Sequence, residues 1–172
     1  MIKCMRSMHE TYVHARMTRF CYVGPRGSWT PLHRDVLHSF SWSCNLSGRK
    51  LWIMYPPEED AALRNNRGDL PWDVTGKVND KEFPLMETAR PLVVTQYPGE
   101  TIFVPSGWLH QVINLDDCVS INHNWFNSCN VLHATRQMLE DHRKVVKSIP
   151  DCSAADDFPA ICEGLLLVSV FV

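Results

Sequence analysis

The sequence predicts a mainly β domain, an antiparallel sandwich or small barrel, with one helix near the C-terminal end. Between residues 20 and 125, short segments rich in β-branched and aromatic residues alternate with turns that contain Gly, Pro, Asn or Asp. After residue 130 the apolar residues instead recur at helical spacing, and Pro150 ends that run. Many short strands with few long helices are typical of sandwiches and barrels.

Seven segments have the composition and alternation of strands. They are residues 20–23, 39–46, 50–55, 92–96, 101–104, 111–114 and 119–125. Residues 57–90 interrupt this rhythm, with a short helix predicted at 58–65 and little periodicity after it. Long insertions in compact domains are usually functional loops or disorder. We interpret this one as a loop over the mouth of the barrel or as a solvated excursion.

The same patterns divide the chain into four parts. A short lead-in covers residues 1–18, and the β domain covers 19–128 with the insertion at 57–90. An amphipathic helix covers 129–149 and a tail covers 150–172. The tail ends in an apolar run that is too short to span a bilayer, so no membrane partner is expected. We interpret the tail as disordered or non-native.

Composition excludes several classes of partner. The 172 residues carry a formal net charge of −2, and their lysines and arginines are scattered, which argues against direct binding of nucleic acid. Seven cysteines without a Cys-x-x-Cys pair indicate reduced thiols in an intracellular setting. Since no apolar signal core follows Met1, we expect a cytoplasmic protein, with the nucleus as the alternative compartment.

A candidate metal site combines a His-x-Asp pair with one distant histidine. In an extended strand, residues i and i+2 project from the same face, so His33 and Asp35 can reach one metal while Arg34 points away. His110 follows a Pro-Ser-Gly turn beside another predicted strand. His-x-Asp alone often occurs by chance. Two imidazoles and a carboxylate on one face of an octahedron nevertheless hold iron(II) with open positions, which predicts a metal-dependent oxygenase.

Three longer segments resemble the successive signatures of the JmjC-domain oxygenases. Their sequences are WTPLHRD at 29–35, GRKLWIMYPP at 48–57 and PGETIFVPSGWLH at 98–110, in the order of the family. The resemblance covers roughly residues 20–137. It implies a double-stranded β-helix, the jelly-roll or cupin fold, with iron(II) as metal and 2-oxoglutarate and dioxygen as co-substrates.

The resemblance also implies a role for individual residues. His33, Asp35 and His110 would hold the iron, and Lys50 would bind the far carboxylate of 2-oxoglutarate. Thr30 would hydrogen-bond the same carboxylate. Two structural alternatives stay open, because Lys50 is also typical of an exposed hairpin lysine and Thr30 of a turn residue.

Two asparagines complete the predicted site. Asn122 and Asn124 alternate on one predicted strand and would face inward together, where they could orient the co-substrate. They could equally be buried amides that serve only the fold. Ser41 and Ser43 share a face of another strand, and relatives often carry an asparagine near Ser43, so a polar contact there stays open.

Three functions stay open at this level. Residues 39–43, 70–75 and 114–125 are most similar to enzymes that hydroxylate a lysine of the eukaryotic translation termination release factor, which makes a protein hydroxylase the leading hypothesis. The same chemistry would serve an N-methyl-lysine demethylase. Relatives carry a sizeable region before the first barrel strand, so a truncated barrel that only binds a partner is the third hypothesis.

Overall fold

The computed structural model describes residues 3–4, 19–76 and 78–148, in which nine strands and one α-helix form. The strands are β1 Lys3–Cys4, β2 Arg19–Gly24, β3 Trp29–Arg34, β4 Phe40–Ser47, β5 Lys50–Tyr55, β6 Leu92–Gln96, β7 Thr101–Val104, β8 Leu109–Asn114 and β9 Cys118–Trp125, and the helix is α1 Val131–Ser148. The predicted tail at 150–172 and most of the predicted lead-in at 1–18 lie outside the described residues.

The strands form two antiparallel sheets. One has the order β1-β2-β9-β4-β7 and the other has the order β3-β8-β5-β6. Each sheet pairs strands that are far apart in sequence, for example β2 with β9 and β3 with β8. This connectivity is typical of jelly rolls. The predicted double-stranded β-helix with a C-terminal helix is confirmed, and the bounds of β5, β6 and β7 are those expected from the sequence.

Strand β3, which contains Pro31, is not among the seven predicted strands, although the pairing of His33 with Asp35 assumed extended backbone there. Proline lacks a backbone N–H and is tolerated mainly in edge strands and at bulges. β3 satisfies both conditions, since it lies at the edge of its sheet and its register with β8 shifts between Thr30 and His33. The strand therefore accommodates the proline in the interval where its ladder of hydrogen bonds is interrupted.

Side chains of β5 alternate between the space enclosed by the sheets and the outer face of the four-stranded sheet. Trp52 and Met54 point inward, where they pack with Val104 of β7, and all three side chains are almost fully buried. Ile53 and Tyr55 point to the outer face and are also buried. A strand that is buried on both faces has a nearly continuous apolar sequence, as β5 does.

The insertion covers that outer face. Its side chains Leu63 and Ala89 are buried against a cluster that includes Leu109 of β8, and Leu63 has no solvent exposure. Gln111 of β8 fixes the segment further, because its Oε1 accepts the Val74 N–H at 2.9 Å. The prediction of a loop over the mouth or a solvated excursion is wrong for these residues. The predicted helix at 58–65 is a 3-10 helix at Pro57–Leu63.

The described residues separate into two compact units, and the sheets belong to the first. The second contains residues 36–39 and those after Trp125, and in it α1 packs against the 3-10 turn Val36–His38. The helix begins one turn after Asn127, whose carbonyl accepts the Val131 N–H at 3.0 Å. None of the described helices combines the length and the apolar character needed to cross a membrane.

Candidate metal centre

The structure brings the three predicted metal ligands together. His33 lies near the end of β3, Asp35 follows that strand directly, and His110 is the second residue of β8. Because β3 and β8 pair with His33 opposite His110, the two rings lie only 4.2 Å apart between centroids. One ligand atom from each of the three residues lies within 4.8 Å of the others. This spacing allows one ion to contact all three.

Backbone carbonyls orient both imidazoles. The Nδ1 atom of His33 lies 2.8 Å from the Pro31 carbonyl oxygen, and that of His110 lies 3.4 Å from the Trp108 oxygen. A carbonyl oxygen can only accept, so Nδ1 carries the hydrogen in these contacts and Nε2 keeps its lone pair. Histidine ligands commonly use this arrangement, in which the second nitrogen fixes the tautomer and the ring orientation.

His110 is held in the neutral form that a metal ligand requires. Burial, followed by the charge of the neighbouring His33, lowers the pKa of His110 to about 4. The Trp52 ring stacks on the His110 ring, with 5.8 Å between centroids and 25° between planes. A neutral, fixed imidazole binds a metal without first releasing a proton.

Ser41 holds the carboxylate ligand in place. Its hydroxyl donates to Oδ2 of Asp35 at 2.6 Å, which leaves Oδ1 for a metal. The sequence showed only that Ser41 and Ser43 share a face, and the contact with Asp35 depends on how β4 lies relative to β3. Ser43 instead donates to Oδ1 of Asn122 at 2.9 Å.

A single cavity between the sheets contains every residue of the predicted site. It encloses about 640 Å³ of non-atom space, including open solvent at its mouth. The predicted residues that line it are His33, Asp35, His110, Thr30, Lys50, Asn122 and Asn124. Residues on or directly after four strands, β3, β5, β8 and β9, therefore converge on one space.

Lys50 places a buried ammonium in this cavity. It is 5% exposed, so the alternative of an exposed hairpin lysine is wrong. Its Nζ donates to Oγ of Ser120 at 2.7 Å, and among the described residues no carboxylate lies within ion-pair distance of it. Burial lowers the pKa of Lys50. A buried cation without a counter-ion is costly, so an anionic ligand would stabilise it.

The remaining predicted residues form the walls beside Lys50. Thr30 lies within β3 rather than in a turn, and its Oγ1 accepts the Val112 N–H at 3.2 Å, so its own hydrogen is free to be donated. Asn122 accepts from Ser43, which leaves its amide N–H groups as donors. Asn124 is 7% exposed and lines the same cavity. The sequence missed Ser120, although alternation on β9 places it on the face of Asn122.

Comparison with known proteins agrees with this geometry. The family model described as "JmjC domain, hydroxylase" matches residues 20–125. The chain is 53% identical over 116 residues to 2-oxoglutarate and iron-dependent oxygenase JMJD4 of Mus musculus, a match that covers 66% of this chain and 27% of that protein. It is 42% identical over 151 residues to the Drosophila melanogaster JMJD4 homolog, covering 88% of this chain and 34% of the homolog.

A relative with a different name matches nearly as much of the chain. Arginine-specific demethylase JMJ20 of Arabidopsis thaliana is 44% identical over 147 residues, which cover 84% of this chain and 32% of that protein. The chain thus spans about a third or less of the length of these curated relatives. The family resemblance seen in the sequence is confirmed, and the chain belongs to the JmjC domain family.

Proposed function

We propose that this chain is the core of an iron(II)- and 2-oxoglutarate-dependent oxygenase that hydroxylates a lysine of a protein substrate. One observation carries the proposal: the metal triad and the buried Lys50 ammonium line the same cavity. A 2-oxo acid can bind a metal at its oxo-carboxylate end and present its other carboxylate to an ammonium. The metal ligands therefore fit the oxo-carboxylate end of 2-oxoglutarate, and the Lys50 ammonium fits the other carboxylate.

His33, Asp35 and His110 would hold the iron, because two neutral imidazoles and one carboxylate on one side leave the other side open. When bound, ferrous iron supplies the site where dioxygen and 2-oxoglutarate react, giving succinate and carbon dioxide and oxidising a substrate C–H bond to an alcohol. The contacts of Ser41 and of the Pro31 and Trp108 carbonyls keep the ligands oriented before a metal binds.

Lys50 would pair with the far carboxylate of 2-oxoglutarate, where exclusion of water strengthens a charge-assisted hydrogen bond. The Thr30 hydroxyl and the Asn122 and Asn124 amides are polar groups of the same cavity that would orient the co-substrate. Ser120 already bonds the ammonium, so Lys50 is positioned before the anion arrives. This preorganisation reduces the entropy lost on binding.

For the substrate, we propose a lysine of the eukaryotic translation termination release factor. The resemblance of this sequence to JmjC-domain-containing protein 4 implies that substrate, and the high identity to proteins named JMJD4 supports the same branch of the family. The cytoplasm, where translation terminates, is the compartment that the substrate requires. The release factor would then be the protein that binds at the mouth of the cavity.

A second candidate function is removal of an N-methyl group. The relative from Arabidopsis thaliana named as an arginine-specific demethylase supports it, since that protein matches 84% of this chain. Hydroxylation of an N-methyl carbon gives an unstable carbinolamine that releases formaldehyde. Which carbon lies nearest the iron decides between the two outcomes, and both use the same cavity.

The experiment compares three peptides with the protein, ferrous iron, 2-oxoglutarate and ascorbate: a release-factor fragment with unmodified lysine, its methyl-lysine form and a methyl-arginine peptide. We expect succinate release coupled to the gain of one oxygen atom on the unmodified lysine, and neither with His33→Ala. Formaldehyde release and loss of a methyl group would establish the demethylase instead. Iron binding without any succinate release would overturn both the hydroxylase and the demethylase proposals, and would favour a barrel that only binds a partner.

A further inference from the structure

The metal ligands lie on two strands whose backbone pairing is interrupted beside them. β3 pairs with β8 at Trp29 and Thr30, and the register then shifts before pairing resumes at His33. Pro31 lies inside this interval and has no N–H to donate. Beyond this interruption, backbone pairing joins the end of the edge strand to β8 only at His33 and Arg34.

Arg34 supplies contacts at that place. It lies between His33 and Asp35 in the sequence, and its Nε donates at 2.8 Å to the carbonyl oxygen of Gly107. Gly107 belongs to the turn that precedes β8, closed by the Trp108 N–H donating to the Pro105 carbonyl oxygen at 3.2 Å. Its positive φ of 82° is the conformation that glycine favours in such a turn. Arg34 thus links the segment of His33 and Asp35 to the turn that leads into His110.

The other end of the guanidinium contacts the insertion. Its terminal nitrogen donates to Oδ1 of Asp60 at 2.5 Å, and the two side chains are only 22% and 26% exposed. Arg64 also bonds Asp60, through Nε at 2.6 Å, and extends to the carbonyl of Gly68 rather than to Gly107. Arg34 and Arg64 therefore share one carboxylate, but Arg34 also bonds the turn before β8, whereas Arg64 bonds Gly68.

We propose that Arg34 is a positioning residue of the metal centre, which sets the separation between the ligands of β3 and the ligand of β8. The planar guanidinium presents donors in two fixed directions, so one side chain holds the Gly107 carbonyl and the Asp60 carboxylate at once. Lysine keeps the charge but carries a single ammonium and cannot reproduce both contacts in this geometry. The inference rests on the proposed function only in that the three residues bind a metal.

The test is a titration of the full 172-residue chain with Co(II), whose visible absorption reports the arrangement of its ligands. The variants are Arg34→Lys and the matched control Arg64→Lys, which removes a partner of the same Asp60. Contacts that orient metal ligands commonly change affinity by roughly 10- to 100-fold. We expect Arg34→Lys to lower Co(II) affinity at least about tenfold and to change the absorption spectrum, with Arg64→Lys within about twofold of the unsubstituted chain.

A readout beyond affinity separates positioning from a general loss of structure. Because its ligands are intact, Arg34→Lys should regain most of its succinate release from 2-oxoglutarate when ferrous iron is raised to saturation. If Arg34→Lys does not fold, Asp60→Asn tests the same pair of contacts, because it weakens the bond between Arg34 and residue 60. That variant should weaken Co(II) binding and alter the spectrum.

Equal Co(II) affinity and spectra in Arg34→Lys and the unsubstituted chain would overturn the inference, as would an equal loss in Arg34→Lys and Arg64→Lys. If Arg34→Lys does not fold, an unchanged Asp60→Asn would overturn it. Failure of the unsubstituted chain to bind Co(II) would instead contradict the proposed metal centre itself.

Discussion

Replacing Lys50 by methionine removes the cation that this cavity offers to a dicarboxylate. Lys50 is the only lysine or arginine among the described residues that lines the cavity, and its ammonium donates to the Ser120 hydroxyl. Methionine has a similar length and no charge, so it fills the space without supplying a donor. The co-substrate would lose its partner while the metal ligands keep theirs.

The size of the effect follows from the burial of the ammonium. A hydrogen bond to a charged group contributes about 1.5–3 kcal/mol, and solvent cannot screen this one because Lys50 is 5% exposed. Since about 1.4 kcal/mol corresponds to a factor of ten, the affinity for 2-oxoglutarate should fall about ten- to a hundredfold. Affinity for Mn(II) should stay within about twofold, because the Lys50 ammonium bonds Ser120 and is not one of the three metal ligands.

Isothermal titration of 2-oxoglutarate into the Mn(II)-loaded protein measures this directly. Arg49→Met is the matched control, since it removes a cation from the adjacent position, where the side chain is 49% exposed and paired with Asp116 at 2.7 Å. That control should bind 2-oxoglutarate as the unsubstituted chain does. Equal affinity for 2-oxoglutarate in Lys50→Met and the unsubstituted chain would refute the assignment of Lys50.

Three further predictions follow from the same structure. Ser41→Ala should weaken Mn(II) binding about tenfold by freeing the metal-binding carboxylate, whereas Ser43→Ala should not; equal affinities by titration would contradict this. Leu63→Ala should destabilise the protein by about 2–5 kcal/mol in urea denaturation, because Leu63 is fully buried in the insertion, and a loss no larger than that of the exposed Leu85→Ala would show that the insertion does not support the sheet. Burial lowers the pKa of Lys50 below 10.5, so 2-oxoglutarate affinity should decline as the pH rises through this lowered value and the ammonium is lost; affinity that stays constant up to pH 10.5 would contradict this.

The alternation of residues predicted much of the sheet structure. β5, β6 and β7 are bounded by Gly, Pro and polar turns, so local chemistry alone defines their ends. β3 escaped prediction because a proline within a strand is acceptable only where the strand lies at an edge, and edge position is a property of the whole sheet.

The insertion could not be predicted for a related reason. Leu63, Val74 and Ala89 all pack on the outer face of the four-stranded sheet, yet their spacing follows 3-10 turns and irregular backbone rather than a helical or strand period. Periodicity detects an apolar face only when one regular element presents it. The apolar surface that the segment covers becomes visible only when Ile53 and Leu109 are known to share a face.

The site residues also fall into those that local sequence predicted and those that it did not. Strand geometry paired His33 with Asp35, and His110 was a candidate because it follows a turn beside a predicted strand. The role of Lys50 came from the family resemblance, because nothing local shows that β3, β5 and β8 are neighbours. The contacts of Ser41 with Asp35 and of Ser120 with Lys50 depend on how strands face one another across the cavity. Such contacts lie beyond the reach of a single sequence.

Anomalous diffraction from crystals grown with Mn(II) and 2-oxoglutarate tests the central claim most directly. The account predicts one strong metal peak bonded to His33, Asp35 and His110, with a carboxylate of 2-oxoglutarate against the Lys50 ammonium. A metal bound elsewhere, or a 2-oxoglutarate whose carboxylates both lie away from Lys50, would contradict it.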